Sequence, residues 1–137
     1  WSNAVPGFGL GIDIRLKDLD YPTLRRLIGQ WREISPNYYG DFYPLTSWTR
    51  DSTVWIAWQF DRPETGEGMV QAFRRHESDY ESARLRLQGL DPGTSYLVTD
   101  LNAGTKQSCL GRDLTQKGLL ITLTDRPASA LLIYRKQ

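Results

Sequence analysis

The chain has 137 residues, 39% of them hydrophobic and 12% aromatic, with 17 Lys and Arg against 16 Asp and Glu for a formal net charge of +1. That composition suits one compact domain with a single core and argues against disorder; no basic stripe marks a nucleic-acid partner, and no apolar run approaches the ~18 residues of a helical membrane span. The lone Cys109 rules out an intrachain disulfide and a CxxC metal site and fits a reducing, cytoplasmic setting.

Residues 1–15 read WSNAVPGFGLGIDIR. The chain opens on Trp rather than Met, as expected of a piece cut from something longer, and without the charged-then-apolar pattern of a secretion signal. Gly7, Gly9 and Gly11 lack the preceding strand and the Lys-Ser/Thr of a phosphate loop, so they are expected to form a flexible connection. Ile12, Ile14 and Leu16 alternate with Asp13, Arg15 and Lys17, a short strand-like run. A helix follows. Asp20 is its expected cap, Pro22 suits its first turn, and Leu24, Leu27, Ile28, Trp31 and Ile34 fall on one stripe opposite Arg25, Arg26, Gln30 and Arg32. Ser35-Pro36 should end it, because the residue before proline avoids the α region.

Residues 37–50 (NYYGDFYPLTSWTR) are dense in aromatics and turn formers, which predicts an extended segment pinned by side chains rather than a regular element. Tyr39, Phe42, Tyr43 and Trp48 allow two readings: rings that stack on sugar, or staples that fix the segment to the adjoining domain, each burying ~150–250 Å². Coplanar exposed rings would favour the first, and buried rings the second. Residues 53–60 (TVWIAWQF) are apolar on both faces, as in a central strand, and residues 68–74 should return antiparallel to it after a turn at Arg62–Gly66. The polar stretch 75–82 holds the one histidine, His76, read as solvated surface rather than as an acid–base catalyst.

In residues 84–101 (RLRLQGLDPGTSYLVTDL), Leu85 and Leu87 alternate with polar neighbours, Asp91-Pro92-Gly93 supplies turn chemistry, and Tyr96 to Thr99 form a second β-prone run. The expectation is a β-hairpin. Residues 101–111 look turn-rich, 113–118 form one helical turn closed by Gly118, and 119–124 and 130–135 are the last strands, both apolar on two faces and so interior to a sandwich. The fold class is therefore mainly β: an antiparallel, Greek-key-like β-sandwich preceded by one amphipathic helix. Asp61, Glu64, Glu67, Glu77, Asp79 and Glu81 are expected in turns, and neither a glycosidase carboxylate pair, a Ser/His/Asp triad nor a metal-ligand spacing stands out. No catalytic residue, metal or cofactor is expected.

Six segments carry a more specific pattern: GIDIR at 11–15, YYGDFYPLT at 38–46, WIAWQF at 55–60, QAFRR at 71–75, LRLQGLDP at 85–92 and GRDLTQKGL at 111–119. In this order, over nearly the whole chain, they resemble the end of the catalytic barrel and the C-terminal β-sandwich of family 36 glycoside hydrolases, the α-galactosidase (melibiase) group. The resemblance implies that residues 1–39 hold the last barrel strand and helix plus a linker, and that 40–137 form the sandwich. It also implies a retaining α-galactosidase as parent, with its catalytic aspartates on earlier barrel strands outside this sequence. Asp13 would then stand near the mouth of the active site, where barrel function concentrates; the plainer reading is a polar residue closing a strand. The implied partner is the upstream barrel. A carbohydrate-binding module for α-galactosides and an oligomerisation module are the alternatives, the latter because the helix stripe would have lost its cover.

Overall fold

The computed structural model describes all residues except 2, 3, 8, 10, 12 and 14. The strand expected around Ile12 and Ile14 thus lies outside the described residues. The described elements are α1 (Tyr21–Ile34), a 3₁₀ turn (Ser35–Tyr39), β1 (Asp41–Pro44), β2 (Ile56–Arg62), β3 (Glu67–Arg74), β4 (Ser82–Leu85), β5 (Ser95–Asp100), β6 (Lys106–Leu110), α2 (Gly111–Gln116), β7 (Leu119–Thr122) and β8 (Ala128–Lys136).

The strands make a six-stranded sheet in the order β1-β2-β3-β8-β5-β6 and a two-stranded sheet of β4 and β7, with every pairing antiparallel. Between the sheets lies the main core. Val70 and Ala72 of β3, Ala130, Leu132 and Tyr134 of β8, and Tyr96 and Val98 of β5 meet Leu85, Leu119 and Ile121 of the small sheet there, with Leu87, Leu90 and Leu114 closing its edge. The alternate residues of the same strands face the other way. Met69, Leu131 and Ile133 bury against Ile34 at the end of α1, with Trp1, Tyr38, Phe60 and Leu101 packed around them. Strands β3 and β8 are thus covered on both faces, which explains the unbroken apolar run 130–134 of β8. Each large side chain so buried contributes ~1.5–3 kcal/mol.

The helix forms as its sequence dictates. The Asp20 carboxylate accepts a hydrogen bond from Thr23 N at 3.0 Å. After Ile34 the α-helix gives way to the 3₁₀ turn, where Pro36 has no N–H to continue the i→i−4 ladder. Ser35 itself keeps α-region dihedrals, against the expectation that a residue before proline leaves them.

The structure corrects four expectations. Residues 84–101 are no hairpin: β4 pairs with β7 in the small sheet, whereas β5 lies between β8 and β6 in the large one. Alternation marks both runs as strands but names no partner. The choice is made by Leu85, Leu87 and Leu90, buried from the small-sheet side, and by the loop between them, which carries the chain across the sandwich. Within 37–50 the segment is regular, with a 3₁₀ turn and β1, because β2 offers β1 a free edge. Residues 106–110, expected as turn, form β6, paired to β5 from Ser95↔Leu110 to Thr99↔Lys106. Strand β7 is one-sided, with Leu119 and Ile121 buried and Leu120 49% exposed, since it covers the core from an outer layer.

One glycine sets the spacing of the sandwich. Gly68 faces Tyr134 across the β3–β8 pair, and a Cβ there would lie 2.1 Å from the Tyr134 hydroxyl and 2.5 Å from the Phe60 carbonyl oxygen. The Phe60 carbonyl belongs to the paired β2 backbone, and the Tyr134 ring is fixed by the bonds of its hydroxyl to Asp61 and Gln59, so relief needs backbone movement. Gly68→Ala is expected to destabilise the fold by about 1–3 kcal/mol, read as a lower midpoint in urea with an unchanged slope; an unaltered midpoint would contradict this packing.

Candidate functional site

Polar groups inside a sandwich are costly unless paired. Three meet here. Gln59 and Asp61 project from β2 into the core and Tyr134 reaches them from β8 through the space above Gly68. The Tyr134 hydroxyl donates to Asp61 Oδ1 at 2.6 Å and accepts from Gln59 Nε2 at 2.8 Å. The same amide donates to the Gln88 carbonyl at 2.8 Å, while Gln59 Oε1 accepts from Gln88 N at 2.8 Å. Gln59 thereby imitates a strand neighbour for the β4–β5 crossover and ties it to β2. Burial pushes the Asp61 carboxyl above its ordinary range, against the Tyr134 hydrogen bond, with Asp41 and Glu64 adding repulsion. Tyr134 is also pushed up, chiefly by burial and then by the Asp61 carboxylate.

Asp61 had been expected in a turn, yet it sits in β2 and is 3% exposed. Asp41 stands directly opposite it across the β1–β2 pair, so one carboxyl is raised and buried beside an exposed one. That superficially resembles a glycosidase acid and its partner. The larger clefts, however, are lined by other residues, and Asp61 is walled in by Tyr134 and by Gly89, where a Cβ would lie 2.7 Å from Asp61 Oδ2. The pair has a packing role.

A second polar assembly gathers the loops at the end of the sandwich where β1, β3 and β7 finish. Arg74, 4% exposed, has no carboxylate partner among the described residues. Its guanidinium donates to the carbonyls of Ser78 (3.2 and 3.0 Å), Leu123 (2.8 Å) and Thr124 (2.6 Å). Arg126 joins the same Ser78 carbonyl and pairs with Asp79 at 2.9 Å. Arg75 donates to the Thr49 carbonyl through both terminal nitrogens at 3.1 Å and also to the Asp51 carbonyl. The Ser52 hydroxyl bonds the Glu77 carboxylate, and the Trp55 indole donates to the Tyr80 carbonyl at 2.9 Å. Sequence reasoning missed this latch: "FRRHESDY" reads as a polar loop, and nothing in it tells which arginine folds inward. His76 is exposed and lies 3.8 Å from Glu77.

The apolar side of α1 is the third feature. Only Ile34 is fully buried; Leu24, Ile28 and Trp31 are half-buried, and Tyr21 and Leu27 are 47% and 37% exposed. Alongside runs a groove of about 540 Å³, lined by Trp1, Val5, Leu24, Leu27, Ile28 and Trp31 among others. The first residues are strapped beneath the helix: the Tyr38 hydroxyl donates to the Ala4 carbonyl (2.8 Å), the Trp31 indole to that of Val5 (3.0 Å) and Gln71 Nε2 to that of Trp1 (3.3 Å).

The five residues singled out from sequence do not converge. Asp13 is exposed and chelated by its neighbour Arg15, at 2.8 Å, which holds its carboxyl below the usual range. Phe42 and Tyr43 project to opposite faces of β1, as strand alternation requires. Phe42 meets Phe60 at 5.3 Å between ring centres, and the Tyr43 hydroxyl lies 3.4 Å from where a Gly89 Cβ would be. Tyr39 and Trp48 are 85% and 79% exposed, one before β1 and the other after it. Phe42 is itself 56% exposed.

Among family models, the glycosyl hydrolase family 36 C-terminal domain matches residues 55–134. The chain belongs to this family. The family 36 C-terminal fold is shared with solved structures. The α-galactosidase AgaA of Geobacillus stearothermophilus, in a variant complexed with raffinose, superposes with a TM-score of 0.73 at 22% identity over 91% of this chain and 17% of that one. The α-galactosidase of Lactobacillus brevis gives 0.71 at 14% identity over 92% and 18%. The galactosidase domain of the α-galactosidase–sucrose kinase AgaSK gives 0.70 at 19% over 90% and 17%. This family 36 domain therefore spans under a fifth of the length of those proteins. No curated protein sequence matches it.

The raised Asp61 carboxyl has a testable consequence. A carboxyl whose folded pKa lies above its unfolded value (~3.9) favours folding at low pH and loses that advantage as pH rises through the folded value. Asp61→Asn removes the titration while keeping an acceptor for Tyr134. The melting temperature of the Asn variant relative to the parent is expected to climb between about pH 3 and pH 7; a flat difference, or one that falls, would contradict the assignment.

Proposed function

We propose that the chain is the non-catalytic C-terminal part of an α-galactosidase-like, retaining glycoside hydrolase, and that it supports the upstream catalytic barrel by docking through the outer face of α1. In this reading residues 1–39 carry the end of the barrel and a linker, and 40–137 form the supporting sandwich. The observation that carries it is the helix itself. Its C-terminal turn is anchored by Ile34 in the sheet's outer core, while Tyr21, Leu24, Leu27 and Ile28 remain wholly or partly open beside an apolar groove. An exposed apolar stripe of this kind, rigidly attached, calls for a covering surface. Family membership and the far greater length of the α-galactosidases sharing the fold support a barrel as that surface.

The test compares two contexts. In the full-length hydrolase that carries this segment, Leu27→Asp should lower the temperature of inactivation by roughly 4 °C or more. In the isolated 137-residue chain, where Leu27 is already exposed, it should leave the melting temperature nearly unchanged. Equal effects in both contexts, or none in either, would overturn docking. A concentration-dependent dimer of the isolated chain that Leu27→Asp dissolves would replace the barrel by a second copy. The isolated chain should not hydrolyse an aryl α-galactoside; turnover abolished by a point substitution within it would overturn the non-catalytic assignment.

A further inference from the structure

The two sheets differ in width, and the difference leaves an opening. On its inner face the six-stranded sheet is covered by β4 and β7 alone, with α2 closing the end where Leu114 enters the core. Beside β7 this leaves a cleft of about 460 Å³, lined by Val98, Ile121 and Leu132 and bordered by Gln107 of β6. A smaller recess of about 190 Å³ extends it towards α2 and shares Gln107 and Leu120 with it. One wall is a strand edge. Leu123 N donates to the Glu81 carbonyl in line with the β4–β7 pair. Bonded pairs alternate along an antiparallel ladder, so Leu119 and Ile121 turn their backbone groups to β4, and those of Leu120 and Thr122 point away from it. Among the described residues nothing meets them. The other edge strands are defended in the usual ways, β1 by Asp41 and Pro44, β4 by Arg84 and β6 by Lys106. Strand β7, Leu-Leu-Ile-Thr, carries neither charge nor proline, and its Leu120 is exposed.

We propose that β7 is a docking edge for an extended peptide of about four to six residues, which adds antiparallel to it as the third strand of the small sheet. Free N–H and C=O groups at Leu120 and Thr122 match the main chain of such a strand. Lying about 4.8 Å beyond β7, it would cover Val98 and the inner face of β5 and β6 with its alternate side chains. Charge sets the rest. The charged residues lining the cleft and its extension are Asp100, Lys106, Arg84, Asp113 and Lys117. The Asp100 carboxylate accepts from Asn102 N and Ala103 N, and Asp113 pairs with Lys117 at 3.0 Å. Lys106 at one end and Arg84 at the other have no carboxylate partner among the described residues. Glu81 and Asp125 lie past Thr122 and do not line the cleft. The edge therefore selects a peptide with apolar residues at alternate positions and a carboxylate at each end. A second copy fits poorly: antiparallel pairing of two β7 edges sets them about 4.8 Å apart, and the β5 and β6 strands projecting beyond each would collide. Helix α1 takes no part, because it covers the opposite face of the large sheet.

The experiment follows the backbone amide signals of the 137-residue chain by NMR during titration with the peptide acetyl-Asp-Val-Thr-Val-Thr-Asp-amide. With the valines facing the cleft, the threonines stand opposite Leu120 and Thr122 and exchange the hydrogen bonds. The Leu120 and Thr122 amides should shift saturably, with half-saturation on the order of 0.1–1 mM. N-methylation of both threonines should abolish the shift, and N-methylation of both valines should leave it. Lys106→Glu, an exposed change, should raise the half-saturation concentration by about threefold or more. Absence of a saturable shift up to about 5 mM, or indifference to which residues are methylated, overturns the docking edge. A concentration-dependent dimer that Leu120→Lys dissolves would give the edge to a second copy and also overturns it. Each of these failures leaves docking through α1 untouched, since that stands on the inactivation comparison.

Discussion

The pairing of β3 with β8 is the constraint on which the rest of this molecule depends. Eight residue pairs, from Glu67↔Arg135 to Arg74↔Ala128, join the two strands, and their side chains serve two cores at once. Val70, Ala72, Ala130, Leu132 and Tyr134 build the sandwich interior, and Met69, Leu131 and Ile133 build the seat of α1. A one-residue slip would exchange these sets and put Tyr134 on the helix side. Register is therefore specified from both faces, and position 68 reinforces it, since glycine alone leaves room for the Tyr134 hydroxyl.

Polar groups then decide how the remaining chain attaches to this pair. On the inner side the Asp61–Tyr134–Gln59 chain of hydrogen bonds satisfies three buried side chains and at its far end grips the backbone at Gln88. The crossover between the sheets is completed by Asp91, whose carboxylate accepts from Gly93 N and the Thr94 hydroxyl, and by Gly111, where a Cβ would strike the Asp91 carbonyl at 2.0 Å. At the loop end Arg74 and Arg75 do equivalent work with main-chain carbonyls as partners. Guanidinium groups with several donors in one plane suit this role, because one side chain fixes two loops. The docking proposed for α1 relies on such rigid attachment of a surface element to a doubly covered sheet.

Much of this was legible in the residues. The helix and its stop came from Asp20, Pro22 and Ser35-Pro36, the central place of β2 and the two-faced burial of β8 from continuous apolar runs, and the antiparallel return of β3 from the turn at Arg62–Gly66. The family resemblance rested on segments such as LRLQGLDP and GRDLTQKGL, which here lead from the end of β4 into the crossover and form α2 with the step into β7. Partner choice was not legible. Leu85–Leu87 and Tyr96–Val98 alternate as hairpin strands do, and only tertiary contacts place them in separate sheets. Single polar residues inside apolar strands were the other blind spot. Asp61 ends the run WIAWQF and looks like a turn former, whereas Tyr134, more than 70 residues away in sequence, draws it into the core. Of the four aromatics weighed as sugar contacts, alternation within β1 separates Phe42 from Tyr43.

Amide hydrogen exchange of the 137-residue chain tests the central claim most directly. If β3 and β8 form a doubly covered spine with α1 held only at its C-terminal turn, the slowest amides will be those of residues 69–73 and 130–134, exchanging only on global unfolding. Residues 24–31 of α1 will then exchange far faster, by local fraying. Protection of the whole of α1 equal to that of β8 would contradict the account, because the helix would already possess the cover that its exposed stripe is argued to lack.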